Sequence, residues 1–172
     1  MTILQRLGGE VRSREGGLPR MTYRWDAETE ILSGSAEVEG RDGLTGSIEL
    51  EDSHGAVVTL DFEGGLMRGV EIVVWPPVKT RDGLAAPHPE AAAEFVVPAL
   101  PDQGVAVVEI DVRLSAETND DEGVIHLRVG GGRPRKAMAL AENLLVDLDA
   151  DGEVAGLWLL GVPPFPAERE LG

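Results

Sequence analysis

Two similar apolar hairpins constrain the fold of this chain more than any other feature of its sequence. The first runs from Val57 to Pro77 and the second from Glu142 to Pro164. In the second hairpin, the apolar residues Leu144, Val146 and Leu148 alternate with Leu145, Asp147 and Asp149. Because successive side chains of a strand point to opposite faces, this pattern predicts a strand with one face on a core. The turn Asp149–Gly152 ends in the Asp-Gly pair that favours hairpins. The return strand within Glu153–Val162 is apolar on both sides, which predicts that both its faces are covered.

The two hairpins align with each other over both strands. Leu60 matches Val146, and beyond the turn Gly65 matches Gly152, so the spacing grows by one residue across the turn. A turn tolerates an inserted residue, whereas a slip within a strand would turn its apolar face to water. Because the spacing is close to half of the 172 residues, the alignment predicts a tandem duplication of the chain.

The remaining segments predict a mainly β protein, with α+β as the alternative class. Short alternating segments between polar turns favour two tandem antiparallel β-meanders related by an internal pseudo-twofold axis. The clearest amphipathic strand runs from Val108 to Leu114. We divide the chain into an N-terminal arm (1–20), a first meander (21–86), a helical, Pro-rich connector (87–103) and a second meander that ends in a helical turn (104–172).

Two short helices are predicted, one after Pro89 and one after Pro166. Proline suits the first position of a helix, and the glutamates that follow suit its positive N-terminal end. Unpaired edge strands favour association, so we expect either a homodimer that pairs its edges or burial of the edges between the two halves.

The charge of the chain limits its partners. It carries 31 acidic residues against 15 Lys and Arg, for a formal net charge of −16. Bare nucleic acid and anionic membranes should repel such a surface, so neither is an expected partner, and an acidic mimic of nucleic acid is the alternative interpretation. There is no Cys, which excludes a disulfide or a thiolate metal site. The N-terminal apolar run is too short for a signal peptide, and the expected location is the cytoplasm.

The acidic turn of the second hairpin is the main candidate metal site. The acidic loop Glu117–Glu122 could also bind a divalent cation, although such charge runs are more often only solvated. Asp147, Asp149 and Asp151 are followed by Gly152, as in the first half of a calcium loop. A calcium loop also needs a Glu at its twelfth position, which here is Trp158. The alternatives are a plain hairpin turn, or a weak divalent-cation site in which calcium would be the only cofactor.

Histidine and tryptophan residues have no spacing typical of a site. No pair of histidines matches a ligand motif such as HExxH, so we predict that all three lie on the surface: His54, His88 and His126. The three tryptophans are predicted to belong to the core rather than to stack on a ligand: Trp25, Trp75 and Trp158.

The second hairpin also resembles part of a known family. The runs DEGVIHLRVG and ENLLVDLDADGEVAGLWLL are similar to a family of small uncharacterised bacterial domains that end in an lDlDxdGxivGiEil-type hairpin. The first half matches through YRWDAETEIL and TLDFEGGLMRGVEIV, and it keeps the family's usual Glu at Glu71, where the second half has Trp158. The resemblance implies two tandem copies of one domain of unknown function, and it implies a fold without a chemistry.

Three functional hypotheses follow from the sequence. The first is a non-catalytic binding or interaction module with a protein partner, because no catalytic motif is visible. The second is an enzyme whose site is assembled from distant strands, which would be recognised by a cleft with convergent, shifted ionisable groups. The third is a cation-dependent module at the acidic turn.

Overall fold

The structure, a computed structural model, describes residues 9–40, 42–99 and 106–166. In these residues all regular structure is β. The strands in chain order are β1 Glu10–Ser13, β2 Thr22–Trp25, β3 Leu32–Ser35, β4 Gly46–Glu51, β5 Val57–Glu63, β6 Leu66–Val74, β7 Val78–Thr80, β8 Ala93–Val96, β9 Ala106–Asp111, β10 Leu114–Thr118, β11 Val124–Val129, β12 Lys136–Ala141, β13 Leu144–Leu148 and β14 Val154–Leu160.

The strands form two sheets, which confirms the mainly β prediction. The first sheet has the order β1-β8-β6-β5-β4-β9, and β3 also pairs with β6 and carries β2 on its other side. The second sheet has the order β12-β13-β14-β11-β10-β7. In the described part of the chain no helix is long and apolar enough to cross a membrane.

One apolar core lies between the two sheets. Ile48 and Val58 of the first sheet and Leu127 and Val146 of the second are all fully buried in a single contiguous cluster. The arrangement is a sandwich, because each sheet buries its apolar face against the other. The predicted placement of Leu144 and Val146 on a core is confirmed.

The second sheet is covered on its outer face as well. A smaller cluster forms there around Leu145 and Trp158, and Leu18 and Leu84 pack against it from outside the sheet. The backbone of Glu90 also donates to the carbonyl of Ala137 at 2.9 Å. Every residue of β13 is buried, and β14 is buried except at its two ends. The prediction that β14 is covered on both faces is therefore confirmed.

Neither half is the uninterrupted meander that was predicted. β3 pairs with β6 rather than with β4, and β11 pairs with β14 rather than with β12. The chain therefore has to cross the end of a hairpin between these strands. In the first half the crossing chain lies so close to the turn that a Cβ on Gly43 would be 2.4 Å from the Cα of Gly65. Because Gly43 also has a φ of 152°, this position requires glycine.

The helix predicted after Pro89 does not form. Ala93–Val96 instead form β8, which pairs antiparallel with β1. Ala93 and Phe95 alternate with half-buried residues and are themselves buried, so packing into the core outweighs the local preference for helix. The helix predicted after Pro166 falls on 167–172, outside the described residues.

The sheets do not coincide with the segment boundaries drawn from the sequence. β7, near the end of the first predicted meander, lies in the second sheet parallel to β10. β9, from the second predicted meander, lies in the first sheet parallel to β4. The strand predicted from Val108 to Leu114 is divided, because β9 ends at Asp111 and β10 begins at Leu114 in the opposite sheet. Residues of the predicted N-terminal arm form β1.

A buried asparagine links the two sheets directly. The Asn143 side chain accepts from the backbone N–H of Met21 at 2.8 Å and donates to the carbonyl of Met21 at 2.9 Å. The hydroxyl of Tyr23 donates to the backbone carbonyl of Asn143 at 2.6 Å. Burial raises the pKa of Tyr23 well above its usual range. These contacts hold the β2 edge of the first sheet against the β12–β13 turn of the second.

Candidate functional site

An aromatic pocket lies where residues of the two sheets meet. Trp25 ends β2, Trp75 directly follows β6, and Phe165 lies in the segment after β14. The two indoles are stacked, with ring centroids 5.6 Å apart and planes at 18°, and Phe165 meets Trp25 edge to face at 5.1 Å. Val78 and Ile125 of the second sheet line the same pocket. Its volume of about 470 Å³ is in the range of small-molecule sites.

Hydrogen bonds hold both indoles in place. The indole N–H of Trp25 donates to the carbonyl of Pro163 and that of Trp75 to the carbonyl of Glu30, each at 2.8 Å. Both rings are only half buried. With their N–H groups already paired, what the indoles offer to a ligand is the π surface, whose faces carry partial negative charge.

Two carboxylates line the aromatic pocket, and both have an unusual backbone. Glu30 has a φ of 63° and Glu122 a φ of 60°, and these are the only residues other than glycine with positive φ in the described ranges. Each ends a tight turn, between β2 and β3 or between β10 and β11. Left-handed conformations cost about 1–3 kcal/mol at residues with a side chain, and they concentrate at functional sites. The coincidence of both at one pocket makes it the candidate site.

The predicted tryptophan positions are therefore correct only in part. Trp158 is buried, with 6% of its surface exposed. Trp25 and Trp75 contact the main core at its margin and also line the pocket. The contact between Trp25 and Trp75 could not be predicted from the sequence, because it depends on the pairing of β3 with β6.

The three aspartates of the predicted cation site have different surroundings. Asp147 is 2% exposed, and its two oxygens bind His126 at 2.6 Å and the indole N–H of Trp158 at 3.1 Å. Asp149 accepts from the backbone N–H groups of Asp151 and Glu153 and so stabilises the turn. Asp151 is exposed. Since Asp147 faces the covered side of the sheet, the three do not form a common ligand set in this structure.

No group of three or more His, Cys, Asp or Glu side chains in the described residues is arranged to hold a metal ion. The calcium site stays a prediction. One buried side-chain oxygen among these residues lacks a hydrogen-bond partner, Oε2 of Glu153, and it belongs to the same turn.

His126 is a buried polar residue whose position the sequence did not predict. It was predicted on the surface, but it is 7% exposed and its ring stacks on Trp158 with centroids 3.8 Å apart and planes at 8°. The ladder explains the burial, because His126 pairs with Trp158 across β11 and β14 on the covered face of the second sheet. Gly156 makes room for this cluster, since a Cβ there would lie 2.7 Å from the carbonyl oxygen of Leu127 and 3.0 Å from Asp147 Oδ2. His54 and His88 are exposed, as predicted.

A second concavity has the opposite electrostatic character. Four basic side chains line this groove of about 1080 Å³, which we call the basic groove: Lys79, Arg81, Arg113 and Arg128. His54 lines it too, together with three acids: Asp52, Asp111 and Glu117. A hydrogen bond from the backbone N–H of His54 lowers the pKa of Asp52, and Glu117 is paired with Arg81 at 2.8 Å. The bases of the groove outnumber its acids by one, whereas the whole chain has a net charge of −16.

No protein-family model matches the chain, and no curated protein matches it. The resemblance to the family of uncharacterised bacterial domains stays a prediction.

Proposed function

We propose that this protein is a non-catalytic binding module and that the aromatic pocket is its ligand site. The observation that supports the proposal is the half-buried, stacked pair of Trp25 and Trp75, held by hydrogen bonds at the mouth of a pocket with two carboxylates. Positioned aromatic rings contribute large contact areas at low entropic cost, which is the usual source of affinity in small sites.

The chemistry of the lining favours an organic cation. An ammonium or guanidinium group over an indole face gains about 0.5–2 kcal/mol, and quaternary ammonium groups are bound in this way by aromatic cages. Glu30 and Glu122 add negative charge at the same place. The net charge of −16 raises the local concentration of cations in addition. The ligand class is therefore an alkylated ammonium group or the side chain of Lys or Arg.

The experiment is a titration of tryptophan fluorescence with choline and with its neutral isostere 3,3-dimethylbutanol. Choline should change the emission and the neutral compound should bind at least about tenfold more weakly, which corresponds to about 1.4 kcal/mol for the charge. Glu30→Gln should weaken choline binding. Glu28→Gln, in the same turn, is the matched control, because Glu28 does not line the pocket. Equal binding of the two compounds, or no binding of either, would refute the proposal.

We also infer that the chain is a tandem duplication, with each sheet built mainly on one copy. Asp61 pairs with Gly69 in the first hairpin and Asp147 with Gly156 in the second, and in each ladder the register shifts directly after the aspartate. A Cβ on Gly69 would lie 3.0 Å from the carbonyl of the neighbouring strand, and one on Gly156 would lie 2.7 Å from it. The five-strand orders β2-β3-β6-β5-β4 and β10-β11-β14-β13-β12 are the same.

Duplication makes a specific expectation about distant relatives. A chain that carries one copy should form a homodimer, because a single sheet leaves its apolar face exposed. A stable monomer with one copy of the hairpin would contradict this inference. We further propose that the protein acts in the cytoplasm, as its lack of cysteine favours.

A further inference from the structure

We propose that the free edge of β7 binds an extended peptide segment of another protein, as an added strand with alternating basic and acidic residues. The proposal rests on the proposed function for one of its two side-chain sites, the aromatic pocket. β7 is the last strand of the second sheet, and in the described part of the chain its only partner is β10. All three of its residues are exposed, Val78 by 44%.

The backbone of β7 has its outward groups available. The N–H of Arg81 donates to the carbonyl of Thr118, and the register pairs Lys79 with Glu117. Because backbone groups alternate along a parallel ladder, Lys79 and Arg81 direct their groups to β10. The N–H and C=O groups of Val78 and Thr80 consequently point to the open edge. An extended peptide could pair with these four groups.

The two sides of β7 lead to the two concavities. Val78 and Thr80 line the aromatic pocket, whereas Lys79 and Arg81 line the basic groove. Side chains of an added strand would alternate in the same way, one residue toward the pocket and the next toward the groove. Main-chain bonds at an edge supply affinity in such complexes, and the sites for alternate side chains supply specificity.

Charge complementarity determines the sequence of the peptide. The aromatic pocket with Glu30 and Glu122 suits Lys or Arg. In the basic groove Arg81 is paired with Glu117, but among the described residues Lys79, Arg113 and Arg128 have no ion-pair partner. These three outnumber the remaining acids of the groove, Asp52 and Asp111, so the groove suits Asp or Glu. The partner segment therefore reads basic-acidic-basic-acidic.

The test uses a labelled peptide Thr-Lys-Glu-Lys-Glu-Thr and a peptide of the same composition in the order Thr-Lys-Lys-Glu-Glu-Thr, with binding measured by fluorescence anisotropy. The alternating peptide should bind at least about tenfold more tightly. Thr80→Pro removes an outward N–H that no described residue uses and should abolish binding, whereas Thr80→Ala keeps that N–H and should bind. Lys79→Glu should weaken binding of the alternating peptide.

Further measurements separate the outcomes. Because Thr80 lines the aromatic pocket, the folding of Thr80→Pro is checked by circular dichroism beside Thr80→Ala. A folded Thr80→Pro that loses the peptide, while Thr80→Ala keeps it, supports the edge site. A wild type that binds choline but neither peptide overturns the edge proposal alone, and one that binds no choline overturns the proposed function. Two further peptides carry N-methyl groups on one or on the other set of alternate residues. Only one set directs its N–H groups toward β7, so the two peptides should differ in affinity. This comparison tests the proposal even if Thr80→Pro fails to fold. If the wild type forms a concentration-dependent dimer and Thr80→Pro is monomeric, the β7 edge pairs with a second copy of the chain. That result would refute the proposal of a peptide partner.

Discussion

The link between the sheets through Asn143 predicts a large loss of stability from a small change at a residue that lines neither the aromatic pocket nor the basic groove. Asn143→Ala removes both side-chain hydrogen bonds to Met21. Met21 is 5% exposed and Asn143 is 6% exposed, so water does not readily replace the lost partner. The substitution therefore leaves one buried N–H and one buried C=O without partners.

The size of the effect follows from these two groups. An unsatisfied buried polar group costs about 1–3 kcal/mol, so the expected loss is about 2–6 kcal/mol. For a domain of this length each kcal/mol lowers the melting temperature by about 2–4 °C, which gives a decrease of about 4–24 °C.

Tyr23→Phe is the matched comparison in the same contact. It removes the hydroxyl that donates to the Asn143 carbonyl, but that carbonyl also accepts from the backbone N–H of Leu160 at 3.0 Å. Since no buried group is left unpaired, the expected loss is only about 1 kcal/mol. Urea and thermal denaturation followed by circular dichroism would measure both variants. If Asn143→Ala is no less stable than Tyr23→Phe, the reasoning from unpaired buried groups is wrong.

Three more predictions concern pH, the buried histidine and calcium. Because the pKa of Tyr23 is raised in the folded state, stability is fully present below the ordinary tyrosine pKa and falls as pH rises above about 10. Tyr23 is the only tyrosine, so tyrosinate absorbance should appear together with unfolding, and its appearance in the folded protein at ordinary pH values for tyrosine would contradict the burial. His126→Ala leaves Asp147 buried with one oxygen unpaired and should cost about 3–5 kcal/mol in urea denaturation, whereas His126→Gln keeps a donor and should cost less; equal losses would argue against the hydrogen bond. The calcium hypothesis predicts that millimolar calcium raises the melting temperature and that Asp149→Asn removes the increase; an unchanged wild-type midpoint would eliminate it.

Sequence patterns were informative wherever one strand and its own turn decide the outcome. The alternation in β13 placed Val146 on the core, and the apolar character of both sides of β14 predicted its two covered faces. These features are local, because the period of two belongs to the strand itself. The absence of cysteine and the net charge of −16 also follow from the sequence alone.

Local sequence patterns did not predict the contacts between distant segments. The chain after Pro89 has good helical residues, but burial of Ala93 and Phe95 at a sheet edge favours a strand. His126 looked like a surface residue because its neighbours in β11 do not reveal that Trp158 and Asp147 lie across the ladder on a covered face.

The sequence by itself determined that this protein is built from β-hairpins with one apolar core face, because hydrophobic periodicity depends only on neighbouring residues. The tertiary structure alone decided which hairpins became neighbours, that β7 and β9 exchange between sheets, and that Trp25, Trp75 and Phe165 meet. Strand pairing brings together residues as far apart in sequence as Glu10 and Val96 through hydrogen bonds that every backbone can form. The choice of strand partners therefore depends on the packing of the whole chain rather than on any local run of residues.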